Sequence, residues 1–129
     1  MARILVADDD TSSLDVLTVA LSAEGHDVLC ASNGQEAYEM TASEKPDLVF
    51  LDVMMPVYDG YETCQLIRND RTIPVTLPVI FLTSMDKDTN KMSSVGASGH
   101  LPKRHVVSEL RDCLLEHLGP DAIGDSARG

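Results

Sequence analysis

Four carboxylates stand directly after short apolar runs in this sequence. Asp8, Asp9 and Asp10 follow the run ILVA, and Asp52 follows LVFL. Carboxylates crowded at one place repel each other, and a hard divalent cation with oxygen ligands removes much of that repulsion. Mg²⁺ suits such a site because it binds one or two carboxylates, keeps several waters and takes a phosphate oxygen as a further ligand. The acids therefore predict a magnesium site that a phosphoryl group can complete.

Asp52 is also a candidate nucleophile. A carboxylate can attack phosphorus to give an acyl phosphate, while a metal ion and a nearby ammonium neutralise the charge that grows on the phosphoryl oxygens. Lys103 supplies an ammonium, and the Thr83 hydroxyl can donate a hydrogen bond to a phosphoryl oxygen. The backbone N–H groups of Val53 and Ser84 complete the predicted set of donors.

Each of these residues also has a purely structural interpretation. The three consecutive acids can cap a helix, since Asp is favoured before and within a first helical turn. Asp52 can be a turn residue ahead of the MMP triplet, and Thr83 and Lys103 say little when taken alone. Their joint position at the ends of separate apolar runs favours a functional site.

Short apolar runs alternate with segments of helical period, which is typical of a parallel sheet covered by helices. The predicted strands are Arg3–Ala7, Asp27–Ala31, Leu48–Leu51, Val79–Leu82 and Gly99–Leu101. Successive βα units with right-handed crossovers predict an α/β fold: a doubly wound five-stranded parallel sheet of order 2-1-3-4-5 with helices on both faces. In such folds ligands bind beyond the carboxyl ends of strands 1 and 3, where the residues above are expected to meet.

The helical segments differ in the clarity of their patterns. Apolar residues at three- and four-residue spacing mark four helices, which begin after the cap-like Thr11-Ser12-Ser13, at Asn33-Gly34, near Tyr61 and near Val107. The segment from Ser84 to Gly96 has few apolar residues, so we expect a short or mobile helix there. Residues 69–76 are predicted to form an extended loop.

Length and charge restrict the class of protein. At 129 residues the chain is predicted to form one domain, residues 1–120, followed by a flexible tail at 121–129. The formal net charge of −11 and the absence of a basic run argue against direct contact with nucleic acid. No apolar run can span a bilayer and no cleavage-like site follows the first run, so we expect a soluble, cytoplasmic chain without membrane contact. Cys30, Cys64 and Cys113 lack metal or redox spacing and are predicted to be buried or half-buried free thiols.

The order and spacing of these residues resemble the response-regulator receiver family over about residues 3–118. The shared motifs are the acids of ILVADDD, the block PDLVFLDVMMPVYDGYE, the hydroxyl of FLTS and the lysine after GASGHLP. The resemblance implies that Asp9 binds Mg²⁺ directly, that Asp8 binds it directly or through water, and that Asp52 and the Met54 carbonyl complete the shell. It implies a histidine kinase or phosphotransfer protein as donor to Asp52, with Thr83 as a switch residue. The implied target of the switch is a downstream protein or a fused output domain.

Two positions depart from the family pattern. Arg104 follows Lys103 where many receivers have proline; because a non-proline cis bond costs about 2.5–4 kcal/mol, we expect a trans bond that sets Lys103 differently. His100 occupies the place of a Tyr or Phe that turns inward on activation, and it either simply fills that switch position or tunes the coupling with pH. The remaining histidines are predicted at the surface: His26, His105 and His117.

Three other functions compete with that of a phosphoacceptor. An Asp-nucleophile phosphatase needs an acid two residues after the nucleophile, where Met54 stands, so we do not expect a turnover enzyme. A flavodoxin-like or dinucleotide-binding module needs a glycine- or hydroxyl-rich loop after strand 1, where this chain has three acids. A pseudo-receiver that acts only through protein contacts stays open because of Arg104 and His100. No output domain follows Gly119, so we expect a stand-alone receiver or a fragment of a larger regulator.

Overall fold

The computed structural model describes residues 2–84 and 88–120, which contain a five-stranded parallel sheet. The strands are β1 (Arg3–Ala7), β2 (Asp27–Ala31), β3 (Leu48–Asp52), β4 (Val79–Thr83) and β5 (Gly99–Pro102). Their order across the sheet is β2-β1-β3-β4-β5, and each neighbouring pair is parallel. The predicted fold class and strand order are therefore confirmed.

Helices cover both faces of this sheet. They are α1 (Thr11–Ala23), α2 (Gly34–Glu44), α3 (Gly60–Asn69), α4 (Thr89–Ser94) and α5 (Val106–Leu118), with a 3₁₀ turn at Lys103–His105 ahead of α5. None of the helices within the described ranges combines the length and the hydrophobicity that a transmembrane span requires.

The core lies in two layers, one on each side of the sheet. Leu5, Val49 and Phe81 belong to the layer under α2, α3 and α4, whereas Ile4 and Phe50 belong to the layer under α1 and α5. Successive strand residues alternate between the two layers because strand side chains point to opposite faces. β3 and β4 are buried along their whole length, which explains their continuous apolar sequences.

Side chains cap the amino ends of α1 to α4. Asp10, Asn33, Asp59 and Asp88 each accept a hydrogen bond from a backbone N–H two or three residues later. The predicted cap of the first helix is therefore displaced: Thr11-Ser12-Ser13 already lies inside α1, and Asp10 is the cap.

The segments with weak sequence patterns form a short helix and a series of turns. The expected short helix between Ser84 and Gly96 is the six-residue α4, although residues 85–87 lie outside the described ranges. Residues 71–76 form turns between α3 and β4, and Ile73 from this stretch reaches the core. The predicted tail at 121–129 also lies outside the described residues, so the division at residue 120 stays a prediction.

Three expectations about single residues are wrong. His26 is buried because it lies directly before β2 and packs beside Ala2, whose N–H donates a hydrogen bond to His26 Nδ1 at 2.9 Å. His117 is half-buried, with 15% of its side chain exposed. Cys30 is exposed because it lies on β2, an edge strand, whereas Cys64 is buried and Cys113 half-buried as predicted.

Candidate functional site

The carboxyl ends of four strands bring the predicted site residues to one edge of the sheet. Asp8 directly follows β1, Asp52 ends β3, Thr83 ends β4 and Lys103 follows β5. Because the strands are parallel and adjacent, residues at these positions meet although they are far apart in sequence. The edge lies at the point where the chain reverses its winding direction, between β1 and β3.

The three consecutive acids after β1 have three different environments. Asp8 is fully buried; its N–H donates to the Ala31 carbonyl at 3.0 Å, and its Oδ1 accepts from the Asp10 N–H at 3.0 Å. Asp9 is exposed. Asp10 accepts from the Ser12 N–H at 3.0 Å as the cap of α1. The capping interpretation is thus correct for Asp10, while Asp8 and Asp9 are left for the site.

Lys103 bridges the two buried carboxylates. Its Nζ lies 3.0 Å from Asp8 Oδ2 and 3.1 Å from Asp52 Oδ2. Burial by itself lowers the pKa of Lys103, but hydrogen bonds and charge attraction from Asp8 and Asp52 outweigh it and raise the pKa above its ordinary value. The ammonium therefore stays protonated. The sequence predicted Lys103 at this edge but did not indicate that it contacts both acids.

The Asp52 carboxyl group is buried, and its charged neighbours are Asp8 and Lys103. Loss of water, and after it the nearby Asp8 carboxylate, raise its pKa from 3.8 to about 6, and Lys103 offsets these effects only in part. A pKa raised in this way is typical of carboxyl groups at functional sites.

Three carboxylates are close enough to share one cation. Ligand oxygens of Asp8, Asp9 and Asp52 all lie within 4.8 Å of one another. Two of the three, Asp9 and Asp52, line a cleft of about 430 Å³ together with Val53, Met54, Ser84 and Lys103. The structure thus brings together the predicted metal-binding residues, including Met54, whose side chain is 74% exposed at the rim. Val53 and Ser84, predicted as backbone donors, line the same cleft.

The Thr83 hydroxyl lacks a partner among residues 2–84 and 88–120. It is buried and neither donates nor accepts a hydrogen bond there. Asp8 Oδ2, by contrast, is paired with the Lys103 ammonium at 3.0 Å. Buried polar atoms are rarely left without a partner unless a water, an ion or a ligand completes them. The Thr83 hydroxyl is therefore a donor available to a group bound in the site.

The two positions that depart from the family pattern lie at its border. The described residues contain no cis peptide bond, so the Lys103–Arg104 bond is trans as expected, and Lys103 still reaches both acids. His100 is exposed on β5, where it pairs in register with Phe81, and it lies outside the cleft.

A doubly wound parallel sheet with an acidic cleft at its switch point defines a flavodoxin-like α/β protein whose crevice is suited to a cation and its ligand. The particular family follows from the sequence as a whole. The chain belongs to the response regulator receiver domain family, whose profile matches residues 4–115.

Individual relatives agree with this assignment. The response regulator MprA of Mycolicibacterium vanbaalenii is 39% identical over 131 residues, which cover 97% of this chain and 55% of that protein. The chain thus spans about half the length of the curated relatives it matches.

Solved structures agree as well. The chemotaxis protein CheY4 of Vibrio cholerae is 27% identical and has a TM-score of 0.83, over 91% of this chain and 98% of its own. The receiver domain of a sensor histidine kinase from Pseudomonas aeruginosa is 25% identical, also with a TM-score of 0.83, over 92% of this chain and 98% of its own. That structure has a magnesium ion coordinated in its active site cleft.

Proposed function

We propose that this receiver domain is the phosphoacceptor of a two-component system, and that it takes a phosphoryl group from a histidine kinase or phosphotransfer protein onto Asp52 with the help of Mg²⁺. The observation that carries the proposal is the meeting of the Asp8, Asp9 and Asp52 carboxylates within 4.8 Å beside the Lys103 ammonium. Membership of the receiver family supports it. The magnesium ion in the Pseudomonas neighbour supports the choice of cation.

The residues at the cleft fit Mg²⁺ by their chemistry. All three side chains offer hard carboxylate oxygens, and these oxygens lie within 4.8 Å of one another. Asp8, Asp9 and Asp52 would hold the ion, with the Met54 carbonyl as a further ligand at the cleft wall. When bound, Mg²⁺ supplies positive charge that relieves repulsion among the acids and stabilises negative charge on a phosphoryl group.

Asp52 supplies the nucleophile in this proposal. One of its carboxylate oxygens forms a bond to phosphorus as the bond from phosphorus to the donor's imidazole nitrogen breaks, and the electron pair of that bond leaves with the imidazole. The pKa of about 6 leaves Asp52 ionised near neutral pH but poorly solvated, which favours attack. Lys103, 3.1 Å from Asp52, neutralises charge on the phosphoryl oxygens, and the unpartnered Thr83 hydroxyl donates to one of them.

The acyl phosphate acts in this scheme as a signal and not as an intermediate of rapid turnover. Met54 stands where an Asp-nucleophile phosphatase needs its general acid, and a thioether cannot donate a proton. Phosphorylation shifts the population of two arrangements through Thr83, and the surface around His100 changes with it. The partner that reads the change is a downstream protein or a fused output domain, in the cytoplasm. We infer no direct contact of these residues with nucleic acid, because a net charge of −11 repels its phosphates.

Phosphorylation from a small donor tests the proposal. The chain is incubated with Mg²⁺ and acetyl phosphate, and intact mass is measured for the wild type, Asp52→Asn and Asp27→Asn. Asp27 is an exposed acid at the amino end of β2 and serves as the matched control. We expect the wild type and Asp27→Asn to gain one phosphoryl mass, and Asp52→Asn to gain none. Gain by Asp52→Asn, or no gain by the wild type, would exclude Asp52 as the acceptor, and the second result would favour a pseudo-receiver.

A further inference from the structure

One wall of the cleft is a loop that is anchored in the core at only part of its length. Residues 53–59, hereafter the β3–α3 loop, connect β3 to α3, and Val53 and Met54 of this loop line the cleft. The Gly60 N–H closes the loop by donating to the Val53 carbonyl at 2.8 Å. Between these ends, Met55 is buried in the core, whereas the side chains of Met54 and Val57 are 74% and 63% exposed. The position of the exposed part of this wall therefore depends on the contacts of its backbone as well as on the Met55 side chain.

The backbone of the loop contacts the amino end of α2. The Gly34 N–H donates to the Pro56 carbonyl at 3.3 Å, and Gly34 itself is buried. A Cβ added at Gly34 would overlap the Tyr58 carbonyl oxygen and the Thr63 hydroxyl. The first residue of α2 thus lies too close to the loop to leave room for a Cβ atom, so the lack of a side chain at residue 34 permits that approach.

The loop backbone is held in a conformation that its own sequence disfavours. Val57 has φ of 70°, in the left-handed region that β-branched residues rarely adopt. Such a conformation persists only where surrounding contacts impose it. The contacts in place are α2 on one side and, on the other, the reciprocal hydrogen bonds of 2.8 and 2.9 Å between Asp59 and Glu62 at the start of α3.

We propose that Gly34 is a positioning residue for the cation-binding edge of the cleft, and that it acts through the β3–α3 loop. The inference rests on the proposed function, since the edge in question is the one expected to bind Mg²⁺. Gly34 lies on a helix that contributes no side chain to the cleft. Its role is to let α2 hold the loop, and thereby Met54, at the distance from Asp9 and Asp52 that one cation requires.

The first test compares two glycine substitutions. Gly34→Ala is expected to push the β3–α3 loop outward and to weaken Mg²⁺ binding roughly tenfold, as is common when a residue that supports metal ligands is changed. Gly99→Ala is the matched control, because a Cβ there meets only ordinary contacts of 3.5 Å or more. The dissociation constant for Mg²⁺ is measured by titration calorimetry well below each melting temperature, so that a mere loss of stability does not change it. Gly34→Ala that folds and binds Mg²⁺ with wild-type affinity would overturn the positioning role.

A second pair of variants serves if Gly34→Ala does not fold. The Asn33 side chain accepts from the Glu36 N–H at 2.8 Å and so fixes the first turn of α2 without adding bulk to the contact. Asn33→Ala removes this cap and is expected to weaken Mg²⁺ binding about threefold, whereas Asn33→Ser keeps a capping oxygen and restores it. Equal affinities of all three proteins would overturn the role. A wild type that binds no Mg²⁺ would instead refute the proposed function itself.

Discussion

At the scale of single residues, the Asp52 carboxyl is both the reactive group of the proposed function and a source of instability in the metal-free fold. Burial and the neighbouring Asp8 raise its pKa from 3.8 to about 6. Between these two pH values the folded chain keeps a proton that the unfolded chain has released, so the free energy of unfolding falls as the pH rises through this window. Above about pH 6 the buried Asp52 is ionised in the folded chain, and the free energy of unfolding is lowered by the full cost of burying that charge.

Asp52→Asn should therefore stabilise the metal-free protein near neutral pH. The amide is neutral at every pH, so we expect a melting temperature roughly 2–5 °C above that of the wild type at about pH 7.5. The difference should shrink as the pH falls toward 5, where the wild-type carboxyl is largely protonated. Circular-dichroism melts in the presence of a chelator measure the two melting temperatures at each pH. Asp27→Asn is the control for loss of one surface charge. A wild type more stable than Asp52→Asn at the higher pH would contradict the raised pKa.

At the scale of elements, the strands were predictable because both faces of the sheet are covered. The bounds predicted from the apolar runs match the structure at every residue for β1 and β2. For β3, β4 and β5 the predicted strand ends one residue too early. Those strands extend to Asp52, Thr83 and Pro102 because backbone pairing with the neighbouring strand continues past the last apolar residue. The site could be predicted for the same reason: residues that end parallel strands share one edge.

Contacts between elements could not be predicted from the sequence pattern. The bridge from Lys103 to both acids and the hydrogen bond of the buried His26 with Ala2 each depend on a partner distant in sequence. Periodicity reports which face of an element is buried, and it does not report which neighbour meets a given atom.

Helix α4 is the element whose own sequence supports it least, and it is held mainly by one face of α3. Among the residues of its six-residue span only Met92 is buried. Lys91 Nζ lies 4.5 Å from the centre of the Tyr61 ring, the Cys64 thiol donates to the Val95 carbonyl at 3.3 Å, and Arg68 Nε donates to the Gly96 carbonyl at 2.9 Å. Short helices depend on such tertiary contacts. In the proposed function, a change at Thr83, which ends β4, is therefore expected to move α4 at small free-energy cost.

Amide exchange should locate this movement. We expect phosphorylation, or a phosphoryl mimic with Mg²⁺, to change exchange rates most between Thr83 and His105, because Thr83 and Lys103 lie on either side of α4 in the sequence and the proposed function assigns both to the phosphoryl group. β1 and β2 serve as the internal reference within the same spectra. Exchange that changes uniformly across the chain, or most strongly in α2, would argue against a switch that runs through α4.

At the scale of the whole molecule, two kinds of charge repulsion act on the fold. The chain has 21 acidic residues against 10 lysines and arginines, which gives a diffuse repulsion that any salt screens. Three of the acids also converge within 4.8 Å at the cleft. That local repulsion is poorly screened by distant ions and is relieved by a cation bound between the carboxylates. The two contributions can therefore be separated by the kind of salt that is added.

Melting curves in MgCl₂ and NaCl at equal ionic strength should separate them. NaCl is expected to raise the melting temperature modestly, and Mg²⁺ at ten times its dissociation constant to add about 1.4 kcal/mol by mass action, or roughly 3–6 °C. Asp9→Asn should keep the response to NaCl and lose most of the additional response to Mg²⁺, because it removes one of the three converging carboxylates. Asp15→Asn, an exposed acid within α1, is the control and should respond as the wild type does. Equal stabilisation of the wild type by the two salts would mean that the cleft carboxylates act only as part of the diffuse charge and form no cation site.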